Sequence, residues 1–437
     1  MKYLLFLILP SLVLSWNQSI NLSQWSGDDI NPQVCRIWSY YAYQNCFVWQ
    51  RLTTEAWNLF ARFSTSPDEW GTIIPVTFDS SYDNENHAVA YNYERNKAWV
   101  VWQKNIEFNN WEILAVQGDT VGFDTAFRLT NSSNRQDENP SVFVIKDTVW
   151  VTWQSNSSET SYSKILAKYY DGTNWSEDFV VDQGNDPFVS NPRINARSNH
   201  PIIAYRKWSR SFSHIYYSEY LNNQWTFPAI VCDSSGYNYD PEVICDFVPY
   251  ASSFFGAIIL WDNLTSRDIF RTAYDTFNLH YRITEDTAVT DISPSAINFL
   301  LPTLRFYPTM IAWQRGDYIY SKFEDFPEFV PVDTTALCSK PCLTAMGGTH
   351  WCIYQKNVGG NWEIFGTYEA CGIEEKPSNR VKTKNLIPFN QLVSFLREKP
   401  YKVYDITGRA IKNYTNLRSG LYFLKFEGVK VSAVILK

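Results

Sequence analysis

Hydrophobic residues in this chain fall in short runs with a two-residue period and no helical spacing, and the runs recur about every fifty residues. Each recurrence centres on an apolar run that ends in an aromatic residue and Gln. The pattern reads Phe47-Val48-Trp49-Gln50, Val100-Val101-Trp102-Gln103 and Val151-Thr152-Trp153-Gln154. It returns as Ile311-Ala312-Trp313-Gln314 and Cys352-Ile353-Tyr354-Gln355. Two altered copies, Ile203-Ala204-Tyr205-Arg206 and Ile259-Leu260-Trp261-Asp262, fill the gap between them. Residues 139–191 show a whole unit. A run after Asn139-Pro140 is followed by 149–154, then by 164–170. The turn Asp171-Gly172-Thr173-Asn174 leads to Trp175 and the last run, 179–181. Runs rich in Val, Ile, Trp and Tyr, bounded by Asp, Asn, Gly and Ser, predict antiparallel strands.

Four strands in a repeat of about fifty residues is the size of a propeller blade. The expected fold is therefore all-β, a seven-bladed β-propeller. First strands are expected to start at Asn31-Pro32, Asn191-Pro192, Asp240-Pro241, Ser293-Pro294 and Lys340-Pro341, because proline costs no ladder donor at a strand's first residue. The second unit has Asn86-His87 instead. The last unit supplies three strands before the text changes near Gly372, and residues 16–23 resemble the missing fourth. An N-terminal strand completing the C-terminal blade would close the ring and leave no open edge.

Residues 1–15, Met1-Lys2-Tyr3 and then a Leu/Ile/Val run, have the form of a secretory signal peptide and are too short to span a bilayer. The expected organisation is a signal peptide over 1–15, the propeller over 16–372, a linker over 373–384 and a C-terminal domain over 385–437. Export makes the eight cysteines candidates for disulfides, with Cys35–Cys46 and Cys232–Cys245 as the expected pairs. Cys338, Cys342, His350 and Cys352 are a weaker zinc reading. No cofactor or metal is expected. The eighteen tryptophans sit mostly at repeat positions, which assigns them to packing between blades. Residues 373–437 carry a net charge of +8 and the rest −15, and an acidic propeller excludes nucleic acid as a partner. A monomer is expected.

The C-terminal text reads Tyr401-Lys402-Val403-Tyr404-Asp405-Ile406-Thr407-Gly408-Arg409, then Gly420-Leu421-Tyr422-Phe423, then a terminal run ending in Lys437. In order and position this resembles the C-terminal sorting domain of the bacterial type IX secretion system. That family carries Tyr-Asp-x-x-Gly-Arg, then Gly-x-Tyr-Phe, then a last strand ending in Lys. The Asn-Pro-rich opening usual there is reduced to Ile387-Pro388-Phe389-Asn390. The resemblance implies the type IX machinery as a partner, and a location outside the cell or on the outer-membrane surface of a bacterium.

The repeats are also similar to those of sialidase-type and other secreted propellers. The Ser-x-Asp-x-Gly-x-x-Trp box of sialidases is absent, so that family's arginine triad transfers to no residue here. There is no His-Glu-x-x-His, no Gly-x-Ser-x-Gly elbow and no phosphate loop. Two features remain as candidate chemistry. Asp29, Asp137 and Asp291 each stand three residues ahead of a Pro, which reads either as a carboxylate ring for a cation or as turn-forming side chains. The altered copies place Arg206, Lys207, Trp208 and Arg210 in one unit and Asp262 and Arg267 in the next. That set reads as a cationic, aromatic ligand site or as an Arg206–Asp262 ion pair between blades. The leading expectation is a non-catalytic binding protein for a glycan or a surface protein. The alternatives are a polysaccharide-active hydrolase or lyase, and a structural surface-layer component.

Overall fold

The computed structural model describes residues 16–370 except 39–42, 67–68, 108–109, 158–162, 185–187, 210, 233–235, 249–252, 274–275, 286–287, 299–308, 325–327 and 347–348; beyond these it describes 401–405, 410–411 and 422–426. The chain divides into two compact units, Met1–Gly372 and Ile373–Lys437. The expected signal peptide, the linker, Cys371 and Arg210 lie outside the described residues.

The first unit is a seven-bladed β-propeller, as the repeat predicted. Its seven antiparallel sheets each have four or five strands, and strands follow one another in chain order within six of them. The first, innermost strands are Asp29–Trp38, Asn84–Asn92, Arg135–Ile145, Val189–Arg197, Asn238–Val248, Asp291–Asn298 and Cys338–Met346. The seventh sheet takes its outer strand from the N-terminus: Ile20 pairs with Gly366 and Asn21 with Phe365. The next residue, Leu22, is fully buried and its N–H donates to Ile364 O at 2.7 Å. Closure removes the open edge that a seventh sheet of three strands would present.

Proline does not begin the first strands. It lies inside them, at a β-bulge that all seven blades share. Register shifts fall between Ile30 and Gln33, Glu85 and Ala88, Glu138 and Ser141, and Ser190 and Arg193. The same shift falls between Tyr239 and Glu242, Ile292 and Ser295, and Ser339 and Cys342. The residue before each proline has a left-handed backbone: Asn31 (φ 53°), Asn139 (53°), Asn191 (51°), Asp240 (40°), Ser293 (53°) and Lys340 (51°). Asn86 (45°) does the same ahead of His87. A bulge leaves one residue outside the ladder, so a proline there removes no bond. Asn and Asp tolerate the left-handed region best, which accounts for the composition of these positions.

The bulge explains the recurring Gln. With the chain turned left-handed, the N–H of the bulge residue points to the preceding blade. Gln355 Oε1 accepts from Asn31 N at 2.9 Å, Gln50 Oε1 from Asn86 N at 3.2 Å, and Gln103 Oε1 from Asn139 N at 2.9 Å. Asp262 Oδ2 does the same for Ser293 N at 3.3 Å. Each is a latch between neighbouring blades.

The aromatic residue before each Gln is buried between sheets, and its polar atom has a fixed acceptor in most blades. Trp102 Nε1 donates to Asn84 at 2.8 Å, Trp153 Nε1 to Asp137 at 3.2 Å and Trp313 Nε1 to Asp291 at 3.0 Å. Where tyrosine replaces tryptophan, the acceptor comes from the fourth strand of the preceding blade. Tyr205 donates to Asp182 at 2.8 Å and Tyr354 to Asp333 at 2.7 Å. Apolar layers between sheets complete the core, for example Trp99, Val101 and Ile113 against Val142, Val149 and Trp153.

None of the seven described cysteines is bridged in this structure. Cys35 and Cys46 stand directly opposite one another on the first two strands. Cys232 and Cys245 belong to different blades: Cys232 packs with Val231, Val243 and Ala257, while the Cys245 thiol donates to Asn195 Oδ1 at 2.6 Å. The expected Cys232–Cys245 bridge is not formed in this structure, and the two residues make separate contacts. The second unit shows a three-stranded antiparallel sheet of Tyr401–Asp405, Ala410–Ile411 and Tyr422–Phe426, with Tyr401–Asp405 central.

Gln103→Leu leaves the Asn139 N–H without its acceptor and lowers stability by about 1–3 kcal/mol in a denaturation experiment, whereas the exposed Val121→Ala changes it little. Non-reducing peptide mapping of protein recovered from outside the cell yields a Cys35–Cys46 linked peptide. Free alkylation of both thiols in that material would contradict it.

Candidate functional site

Four blade boundaries carry the latch through an acceptor side chain. The latch position needs a hydrogen-bond acceptor, and blade 4 puts Arg206 there. A guanidinium has no lone pair to offer, so no such latch forms between blades 4 and 5. Arg206 instead donates from Nε to Ser190 Oγ at 2.9 Å and lies over two aromatic rings, 4.3 Å from the Tyr239 centroid and 5.0 Å from that of Trp208. Burial between these rings is the main influence on its pKa, which it lowers.

Trp208 packs against Tyr237 and Tyr239, with ring centroids 5.9 Å away in each case. Tyr237 is brought here by the connection between blades, which runs back over blade 4: Ser213 N donates to Gly236 O at 3.2 Å. Gly236 has φ +140°, and a Cβ there would crowd the side chains of Asn263 and Thr265 at 3.0 Å, so glycine is required for the close approach. Tyr237, Phe188 and Phe212 are exposed, at 41%, 52% and 41%. The Trp208 N–H donates to Phe188 O at 3.0 Å, which fixes Phe188 beside it. Together with Arg206 they make a partly open aromatic surface with one cation at its centre.

The sequence candidates divide. Arg206 and Trp208 belong to this surface. Lys207 points to the opposite side of the strand, where Nζ donates to Asp182 Oδ2 at 3.0 Å and ties blade 4 to blade 3. Arg267 is exposed in a left-handed turn (φ 64°) between the second and third strands of blade 5, and its backbone carbonyl accepts from Asp291 N at 3.0 Å. Asp262 is only 2% exposed and acts as a latch. Arg206 and Asp262 form no ion pair; each is committed to a different neighbour. Tyr237 and Tyr239 were not singled out in the sequence, because each gains its role only from the path of the connection across blade 4.

The carboxylates ahead of the prolines form neither a cation ring nor simple turns. Asp29, Asp137 and Asp291 are fully buried within their blades. Asp29 takes two hydrogen bonds from Arg51, at 2.8 and 2.9 Å. Burial raises the pKa of all three, that of Asp291 to about 6. Asp262 is pushed to about 7, first by burial and then by the charge of Asp240. Its Oδ1 has no hydrogen-bond partner. His87, in the position of the missing proline, shares a hydrogen bond of 2.9 Å between Nε2 and Val48 O. Burial lowers its pKa to about 4 and keeps it neutral. Among the described residues no group of three or more His, Cys, Asp and Glu converges as a metal site. His350 faces Glu369 at 3.6 Å rather than joining Cys338, Cys342 and Cys352.

No protein-family model matches this sequence, and no curated protein matches it. Among solved structures it is similar to a protein of unknown function from Dyadobacter fermentans, with 9% identity, 68% of this chain and 97% of that one covered, and a TM-score of 0.47. It is also similar to the Trypanosoma rangeli sialidase in complex with sialic acid (8% identity, 82% and 58% covered, TM-score 0.47). A third is the Hadza microbial sialidase Hz136 (10% identity, 78% and 65% covered, TM-score 0.47). The chain thus spans less than two thirds of either sialidase. The class, a seven-bladed β-propeller, rests on the strand pairing above.

A carboxylate whose pKa is raised on folding adds stability below its unfolded pKa, and that stability is lost as pH rises through the folded value. For Asp262 the window runs from about 4 to about 7. Asp262→Asn, which keeps an acceptor for Ser293, is therefore expected to gain stability over the parent as pH rises from 5 to 8. Paired thermal melts at each pH read the difference.

Proposed function

We propose that the protein is a non-catalytic binding protein whose ligand is a glycan held at the boundary between blades 4 and 5. The observation that carries this reading is the surface of Trp208 and Tyr237 with Arg206 beside them, at the one boundary where an acceptor gives way to a cation. Flat apolar rings match the C–H faces of sugars, and a guanidinium offers forked donors to hydroxyl or carboxylate oxygens. Asp262 is too buried to touch a ligand there, which weighs against its use as a catalytic acid. Glu242, raised to about 7 by burial and lining the central channel, is the acid that a hydrolase reading would need. The C-terminal unit supports a further part of the proposal, that the propeller works outside the cell or on its surface after passage through type IX secretion.

The test is a glycan panel with purified protein, reading bound sugar and released product together. Trp208→Ala is expected to weaken retention at least about tenfold, and Arg206→Ala to do likewise. Lys207→Ala, on the other face of the same strand, leaves retention unchanged. Release of product would establish the hydrolase instead, and retention unaffected by Trp208→Ala would place the ligand elsewhere.

A further inference from the structure

The central channel encloses about 530 Å³ and is walled by the seven first strands. At its mouth the left-handed residues join side by side. Asn86 Nδ2 donates to Asn139 Oδ1 at 3.2 Å, Asn191 Nδ2 to Asp240 Oδ1 at 3.1 Å, and Lys340 Nζ to Asn31 Oδ1. One layer deeper, two residues on, each first strand presents another side chain to the channel. Five of these positions carry uncharged residues: Gln33, Ala88, Ser141, Ser295 and Cys342. The other two, on neighbouring blades, carry Arg193 and Glu242.

These two charges are close enough to influence each other but do not pair. Arg193 donates from Nη1 to Pro192 O at 3.1 Å; among the described residues it makes no ion pair, and Glu242 has no hydrogen-bond partner. Both are half-buried: water reaches them along the channel, yet protein surrounds them on every side. Leaving a guanidinium and a carboxylate unpaired in such an enclosure is costly unless something else satisfies both. A simple anion would meet Glu242, and a simple cation would meet Arg193. A neutral sugar offers hydroxyls to both groups but a countercharge to neither.

We propose that the channel binds a small zwitterion of the α-amino-acid class, its carboxylate on Arg193 and its ammonium on Glu242. The volume suits a ligand of this size with room for a side chain and water. The groups facing Glu242 are consistent with the assignment. Arg193 lies on blade 4 and the Cys342 thiol on blade 7, the latter pushed to about 12 and therefore uncharged. Asp240 and Lys340 in the layer above are of opposite sign and near each other. Burial raises the pKa of Glu242 to about 7, so an ammonium bound beside it displaces its proton. This site is separate from the aromatic surface between blades 4 and 5.

Isothermal titration calorimetry of the full chain against glycine, leucine, lysine and glutamate tests this, with acetate and methylammonium as single-charge probes. Amino acids are expected to bind at least tenfold more tightly than either probe. Affinity rises about tenfold from pH 6 to pH 8, with release of up to one proton near neutrality. Arg193→Gln and Glu242→Gln each lose at least tenfold, Glu242→Gln also loses the pH dependence, and the exposed Val121→Ala changes neither. Absence of heat with every amino acid, or equal binding of acetate, overturns the proposal using the parent protein alone. A double-mutant cycle in which Arg193→Gln and Glu242→Gln are strongly coupled in thermal stability, without amino-acid binding, assigns the pair to a water-bridged structural role.

Discussion

The left-handed bulge in each innermost strand is the constraint on which the ring depends. It tips one N–H out of its own sheet and toward the preceding blade, where the sheet ladder cannot reach it. A buried donor without an acceptor costs about 1–3 kcal/mol. The recurring Gln supplies that acceptor from the neighbouring blade, and Asp262 does so for blade 6. One backbone distortion thus creates both the need for a contact between blades and its direction. The proline after each bulge fits because the bulged residue has already left the ladder.

A ring built this way tolerates substitution at the latch only with another acceptor. Arg206 breaks that rule and is stabilised by different means, a hydroxyl and two aromatic rings. The departure is not isolated. On the same two blades as Arg206 and Asp262, Arg193 and Glu242 interrupt an otherwise uncharged layer of the channel. Scaffold needs explain the regular residues, including the buried aspartates that cap indoles. They do not explain this cluster of exceptions in two adjacent blades, and that is why function is placed there.

The two proposed sites use different physics. On the surface, exposed rings gain by covering apolar faces of a ligand, with Arg206 adding directionality. In the channel, the contribution is electrostatic, because protein walls exclude most of the water that would otherwise screen Arg193 and Glu242. The closure at Ile20–Asn21 matters to both, since it holds the seven first strands in a complete wall.

The sequence by itself determined the repeat, the seven blades, the strand order and the closing N-terminal strand. These follow from local alternation and from the spacing of Trp-Gln, Tyr-Gln and their altered forms. It also marked Arg206 and Trp208, because a break in a repeat is visible without coordinates. A bulge looks in sequence like a strand boundary, so the prolines read there as strand starts although they lie inside the strands. The roles of Asp29, Asp137 and Asp291 were hidden for a related reason: their indole and guanidinium partners lie about twenty residues away on the next strand. Lys207 was set apart from Arg206 and Trp208 only by the pleat, which turns it to the opposite face. Arg193, Glu242, Tyr237 and Tyr239 carry no sequence signal of their own. Closing the ring decided that two charges some fifty residues apart share one channel, and the path of a single connection decided that a tyrosine of blade 5 packs against a tryptophan of blade 4.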